Sequence, residues 1–105
     1  MKYLLVIAFL IFAQSAYSEN AEFTIESLGV SDSTKTIFIR VSPNVPNTTC
    51  TNLDQIRISV LDSEVSSQIY SSALVALTTN RKIYVAYDPS ACIAGATKIA
   101  AFTIN

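Results

Sequence analysis

The stretch Glu64–Asp88, EVSSQIYSSALVALTTNRKIYVAYD, constrains this chain most, because it reads as one amphipathic helix, a one-residue stop and a buried strand. Placed at about 100° per residue, Glu64–Thr79 gathers Val65, Ile69, Tyr70, Ala73, Leu74, Ala76 and Leu77 within half the circle. Ser67, Gln68, Ser71, Ser72, Val75, Thr78 and Thr79 take the other half, and Ser66 is the one polar residue on the apolar side. Asp62 or Ser63 can serve as N-cap, and Glu64 lies in the first turn, where the helix dipole favours an acid. Asn80 follows the last periodic residue and suits a left-handed C′ position, with Arg81 and Lys82 placing positive charge by the helix end.

The polar half of this helix carries hydroxyls, one amide and one valine but no charge, whereas a solvent-facing helix usually displays Lys and Glu. One reading is a low-charge protein that uses hydroxyls for solubility. The other is a second packing surface against neighbouring subunits, in which Ser67, Gln68, Ser71 and Thr78 form an oligomer face. Both readings stand at this point.

Met1–Ser18, MKYLLVIAFLIFAQSAYS, has Lys2, an apolar run from Tyr3 to Ala13, and small residues Ala16 and Ser18 at the −3 and −1 positions. That pattern predicts a secretory signal peptide over residues 1–18 with cleavage before Glu19, and the apolar run is short for a membrane anchor. Secretion or export to a periplasm follows, with no membrane insertion after cleavage. The mature part, residues 19–105, is a single small domain with six basic and eight acidic side chains, a net charge of −2.

A domain of this size buries a modest core and needs reinforcement. Cys50 and Cys92 are the only cysteines, and an exported chain meets oxidising conditions, so the expectation is a structural disulfide. It closes a loop of 42 residues, worth about 4 kcal/mol in the chain-entropy account.

The rest of the mature chain alternates as short strands. Glu22–Val30 sets Phe23 and Ile25 against Thr24 and Glu26, then breaks phase near Ser27–Gly29, a bend or bulge. After a turn at Ser31–Thr34, Lys35–Val41 places Ile37, Ile39 and Val41 opposite Phe38 and Arg40. Ser42–Asn52 (SPNVPNTTCTN) is a long connector with two of the three prolines, and its Asn47–Thr49 triplet is a glycosylation acceptor in a eukaryotic secretory pathway. Asp54–Leu61 points Ile56, Ile58 and Val60 inward, and Lys82–Tyr87 does the same with Ile83, Val85 and Tyr87. A turn at Asp88–Ser90 and a loop over Ala91–Ala96 lead to Thr97–Ile104, which is apolar on both faces and so central or barrel-closing.

The order strand, strand, strand, helix, strand, strand predicts a mainly β domain, a five-stranded OB-fold-like barrel with one helix. An open antiparallel sheet with the helix laid across one face is the alternative. In either, Cys50 and Cys92 meet at one end.

Tyr70, Ala73, Leu74, Thr78, Thr79, Tyr87, Asp88 and Pro89 fall in the pattern Tyr-x-x-Ala-Leu followed by Thr-Thr, seven residues and Tyr-Asp-Pro. In these residues the chain resembles small exported bacterial OB-fold-like proteins and, more distantly, the B subunits of subtilase cytotoxin and related pertussis-like toxins. The match spans about a quarter of the chain and implies an OB-fold binding subunit of a kind that forms pentamers around a central pore. It also implies a glycan site on the barrel side, with Tyr87 at the position of the toxin family's sugar-binding tyrosine and Thr24 nearest to its first-strand hydroxyl residue. The family's glycine-rich surroundings of that hydroxyl and the aromatic features of its second connector are missing here. The structural alternatives are an inward core role for Tyr87, beside Ile83 and Val85, and an ordinary exposed strand position for Thr24.

Catalysis has little to build on. The chain has no histidine, both cysteines are committed, and its serines therefore lack an imidazole base. Glu22, Glu26, Asp32, Asp54, Asp62, Glu64 and Asp88 flank turns and helix ends, and no metal-ligand cluster or phosphate-binding glycine loop is present. The expectation is a non-enzyme without cofactor or metal. Arg40, Arg57 and Phe38 form the best patch for a single-stranded nucleic acid, but a net-acidic exported chain disfavours phosphate-driven binding. Two functions remain: a toxin-B-type subunit that binds a glycan or glycoprotein receptor as a homo-oligomer, or a stand-alone exported structural or protein-interaction module with no small-molecule site.

Overall fold

The computed structural model describes residues 19–61 and 63–105; the signal peptide expected over residues 1–18 and the N-cap expected at Asp62 or the Ser63 side chain lie outside the described residues. Five strands, β1 (Glu19–Ser31), β2 (Thr36–Ser42), β3 (Asn52–Ser59), β4 (Ile83–Ile93) and β5 (Ala96–Ile104), surround one helix, α1 (Ser63–Thr78), between β3 and β4. They close into a barrel in the order β1-β2-β3-β5-β4. All pairings are antiparallel except β3 with β5. This is the expected OB-fold-like barrel, and the open-sheet alternative is excluded.

β1 makes closure possible by serving two neighbours. Its first half, Glu19–Phe23, pairs with β4, and its second half pairs with β2. The ladder slips between Ile25 and Ser27, slightly earlier than the phase break in the sequence suggested, and this bulge bends the strand around the barrel corner. Inward-facing Phe23, Ile25, Ile37, Ile39, Ile56, Ile83, Val85 and Ile99 fill the interior.

α1 plugs the barrel through Ser66, Ile69, Ala73 and Ala76, all buried at i, i+3, i+7 and i+10. This stripe differs from the apolar arc expected from the sequence. Ala73 at its centre lets the helix seat closely, so the buried stripe is narrow. Val65 and Leu74, 80–100° to either side of it, are 44% exposed. Asn80 adopts φ 57°, and the Arg81 amide donates to the Ala76 carbonyl at 2.9 Å, the closing bond of a Schellman motif.

Two further segments depart from expectation. β4 continues through Asp88–Pro89–Ser90 to Ile93, where a turn and loop were expected. The pairing with β5 is irregular between Tyr87 and Cys92, so Pro89 deprives no regular rung of a donor, and its carbonyl accepts from the Thr49 amide. The true reversal is Ala94–Gly95, with φ of 52° and 80°, a two-residue hairpin loop between the paired Ile93 and Ala96. β5 lies between β3 and β4 as expected, but its outer face is open, with Ala100 and Ala101 exposed. Cys50, just before β3, and Cys92, near the end of β4, form the disulfide, with Cα atoms 5.7 Å apart. Among the described residues no helix is long and apolar enough to cross a membrane.

Candidate functional site

Tyr87 and Thr24, the pair expected to hold a sugar, stand on opposite sides of the barrel wall. Tyr87 follows the inward phase of Ile83 and Val85 and is 0% exposed. Its hydroxyl donates to the Pro46 carbonyl at 2.7 Å. Burial, and secondarily the nearby Glu19 carboxylate, push its pKa above the usual tyrosine value, since both disfavour the phenolate. Thr24 lies on the outward phase of β1, between buried Phe23 and Ile25, and is exposed. The two therefore form no common site, and Tyr87 belongs to the core. The alternation of KIYVAY already carried that answer.

Asp88, next in the chain, turns back on itself. Its carboxylate accepts from the Ser90 amide at 2.9 Å and the Ser90 hydroxyl at 2.8 Å, which holds its pKa below the ordinary carboxylate range. It stands at one wall of a groove of about 480 Å³ that runs between Val65 of α1, Asp88 and Ala91 of β4, and Lys98–Ala100 of β5. Among the described residues the β3–β5 register ends at Arg57 and Lys98, and Ile58 and Ser59 of β3 line the same groove.

Ser67, Gln68, Ser71 and Thr78 are all exposed on the outer face of α1, as an oligomer face requires. Thr78 is locally committed, its hydroxyl donating to the Leu74 carbonyl at 2.9 Å. Val75, read from the sequence on this half, is 48% exposed; what the sequence did not indicate is the exposure of Leu74, at 44%, and of Leu61, preceding the helix, at 84%.

A second assembly was only partly anticipated. Phe38 and Arg57 do share the outer face of β2 and β3, as partners in register, with the guanidinium carbon 5.3 Å from the ring centroid. The Cζ end of the Phe38 ring lies against Gly29 of β1, where a Cβ would clash with it. Arg57 donates from Nε and Nη2 to Gln55 Oε1 and from Nη1 to the Thr34 and Thr36 hydroxyls, all neutral acceptors. Arg40, expected alongside, is exposed on the same outward phase of β2, in register with Gln55, and its Nε lies 3.7 Å from the Asp54 carboxylate. Lys98, on β5, is the in-register partner of Arg57 across the parallel pairing. No local pattern could have placed it there, because that register joins residues 41 positions apart through the fold.

No group of three or more potential metal ligands occurs among the described residues. Comparison with protein-family models, with curated proteins and with solved structures finds no match.

Proposed function

We propose that the mature chain is an exported, non-catalytic binding subunit of toxin-B type that self-associates through the outer face of α1 and recognises glycans on the barrel side. The observation that carries this reading is the composition of that helix face. Val65, Leu74 and Val75 are exposed among small hydroxyl side chains, with Glu64 as the only charge along the helix. Small residues permit close approach and the apolar ones supply area to bury, which favours a packed contact over a solvated surface.

The non-catalytic part of the reading is supported by how the reactive groups are used. Both cysteines are in the disulfide, and the Asp88 carboxylate is spent on Ser90. A glycan array probed with refolded mature protein, alongside its mass in solution, tests the reading. Binding to a defined subset of glycans by an oligomer is the expected result, and a monomer that binds none would refute it.

A stand-alone structural or protein-interaction module is the second reading. It is favoured by one observation, that Tyr87 and Thr24 do not converge and so leave the toxin-like sugar site unbuilt.

A further inference from the structure

Three strands lose regular pairing at one place on the barrel. Among the described residues the β3–β5 register ends at Arg57 and Lys98. On β5, Ile99 opposes Tyr87 and Ala101 opposes Ala86, so Ala100 is the extra residue of a bulge. On β4 the register is interrupted from Tyr87 to Cys92. These breaks surround the groove of about 480 Å³, whose walls include Ile58 of β3, Asp88 of β4 and Lys98 of β5. A second hollow of about 200 Å³ shares Val65 and Ala100 with it and lies between Gln68 and Ser72 of α1 and Phe102 of β5. The two make one channel that follows β5 from Lys98 to Phe102, about 13 Å of strand.

The main chain along this channel is oriented to pair. The Asn105 amide donates to the Lys82 carbonyl at 2.9 Å, which makes these two a hydrogen-bonded pair of the antiparallel ladder. Along the unbroken register Tyr84–Thr103 is the next such pair, so Phe102 and Ile104 direct their N–H and C=O groups away from β4. The channel's charges stand together at its Lys98 end. Asp88 Oδ1 accepts both bonds from Ser90, and Lys98 has no carboxylate within ion-pairing distance among the described residues. The other end offers neutral Gln68 and Ser72.

We infer that this channel is a docking site for an extended peptide segment, which adds to β5 at Phe102 and sets one acidic side chain against Lys98. Main-chain pairing supplies affinity in this mode, and apolar hollows select alternate side chains, here through Ile58, Val65, Ile69 and Ile99. A second copy of this chain is a poorer occupant. Its own β5, the strand with the matching edge, carries no acid between Ala96 and Ile104 and would bring another lysine. The inference goes beyond the glycan-binding reading and does not depend on it. Because Gln68 also belongs to the assembly face, the measurements are made on the protein in its native assembly.

The test titrates isotope-labelled mature protein with end-blocked hexapeptides of alternating Val and Thr. One set carries a single Glu at the first or the last position, covering both strand directions; matched sets carry Gln or Lys there. A Glu peptide should bind roughly tenfold tighter than its Lys counterpart, with the Gln peptide between them and the spread shrinking as salt rises. Its binding should shift Lys98, Ala100 and Phe102 and slow hydrogen exchange at the Phe102 and Ile104 amides. N-methylation of alternate peptide amides should abolish binding in one phase and spare it in the other. Lys98→Glu, with an unchanged circular dichroism spectrum, should turn the preference toward the Lys peptide, which a merely structural lysine would not do.

Failure of every hexapeptide to bind would overturn the site. Equal affinity for Glu and Lys peptides would overturn the acidic partner, and shifts confined to Ser67 and Ser71 would overturn the channel as the place of binding. Phe102 and Ile104 amides protected without peptide, increasingly so as protein concentration rises, would show that a second copy fills the channel and overturn the peptide as its occupant.

Discussion

The Tyr87 hydroxyl donates a hydrogen bond to the Pro46 carbonyl, 2.7 Å away, and so ties β4 to the connector between β2 and β3. The disulfide joins the same two segments through Cys50 and Cys92, and the Thr49 amide reaches the Pro89 carbonyl at 2.9 Å. The long connector, which has no regular secondary structure of its own, is thus fixed to β4 at three points.

Tyr87→Phe keeps the ring's packing and removes only this bond, so it should cost about 0.5–1.5 kcal/mol in denaturant unfolding. It should also change the alkaline limb. Because the folded-state pKa of Tyr87 is raised, its contribution to stability is complete below the unfolded-state value of about 10 and is lost as pH rises through the folded-state value. Unfolding midpoints measured on both proteins from neutral pH upward should fall more steeply for the native chain. Parallel curves would show that Tyr87 is not the group responsible.

Reduction of Cys50–Cys92 releases a loop of 42 residues. In the chain-entropy account that costs about 4 kcal/mol, a large share of the stability of a small domain. The melting temperature should drop sharply under reducing conditions, and thiol titration of the denatured, unreduced protein should find no free cysteine.

The stripe through Ala73 gives a contrast between two helix positions. Ile69 is 6% exposed inside the barrel plug, so Ile69→Ala should cost about 2–5 kcal/mol. Ser71 faces outward, and Ser71→Ala should change the stability of the isolated subunit by less than about 0.5 kcal/mol. Comparable losses in equilibrium unfolding would mean that the helix is rotated about its axis relative to this description.

Gly29 has a steric rather than a conformational role. A methyl group there meets the far end of the half-exposed Phe38 ring, so Gly29→Ala should displace the ring from Arg57 while changing stability by only about 0.5 kcal/mol. Aromatic ring-current shifts at the Arg57 guanidinium protons should move toward random-coil values, whereas unchanged shifts would show that the ring is not seated on Gly29.

Much of the fold was legible because period-2 alternation and a capped helix are local signals. Ile37, Ile39, Ile56, Ile58, Ile83 and Val85 all face the core as their alternation requires. Asn80 closes the helix because its side chain tolerates the left-handed conformation. The misread segments were those where tertiary structure overrode a local cue. Asp88–Pro89–Ser90 reads as a turn, yet it lies in a strand, because the reversal is carried by Ala94–Gly95, whose alanine gives no turn signal. Leu74 looks like a core residue and is exposed, because only the closed barrel decides how wide a stripe the helix buries. The Arg57–Lys98 pairing was invisible for the same reason: it is a property of barrel closure, not of either strand.

The central claim, assembly through the outer face of α1, is tested most directly by the light-scattering mass of the mature protein beside its Ser71→Lys variant. The native chain should scatter as an oligomer of several subunits. The variant, which crowds like charges into each contact and desolvates them, should scatter as a folded monomer with an unchanged circular dichroism spectrum. A native protein that remains monomeric at every concentration, or a variant that assembles as well as the native chain, would contradict the account.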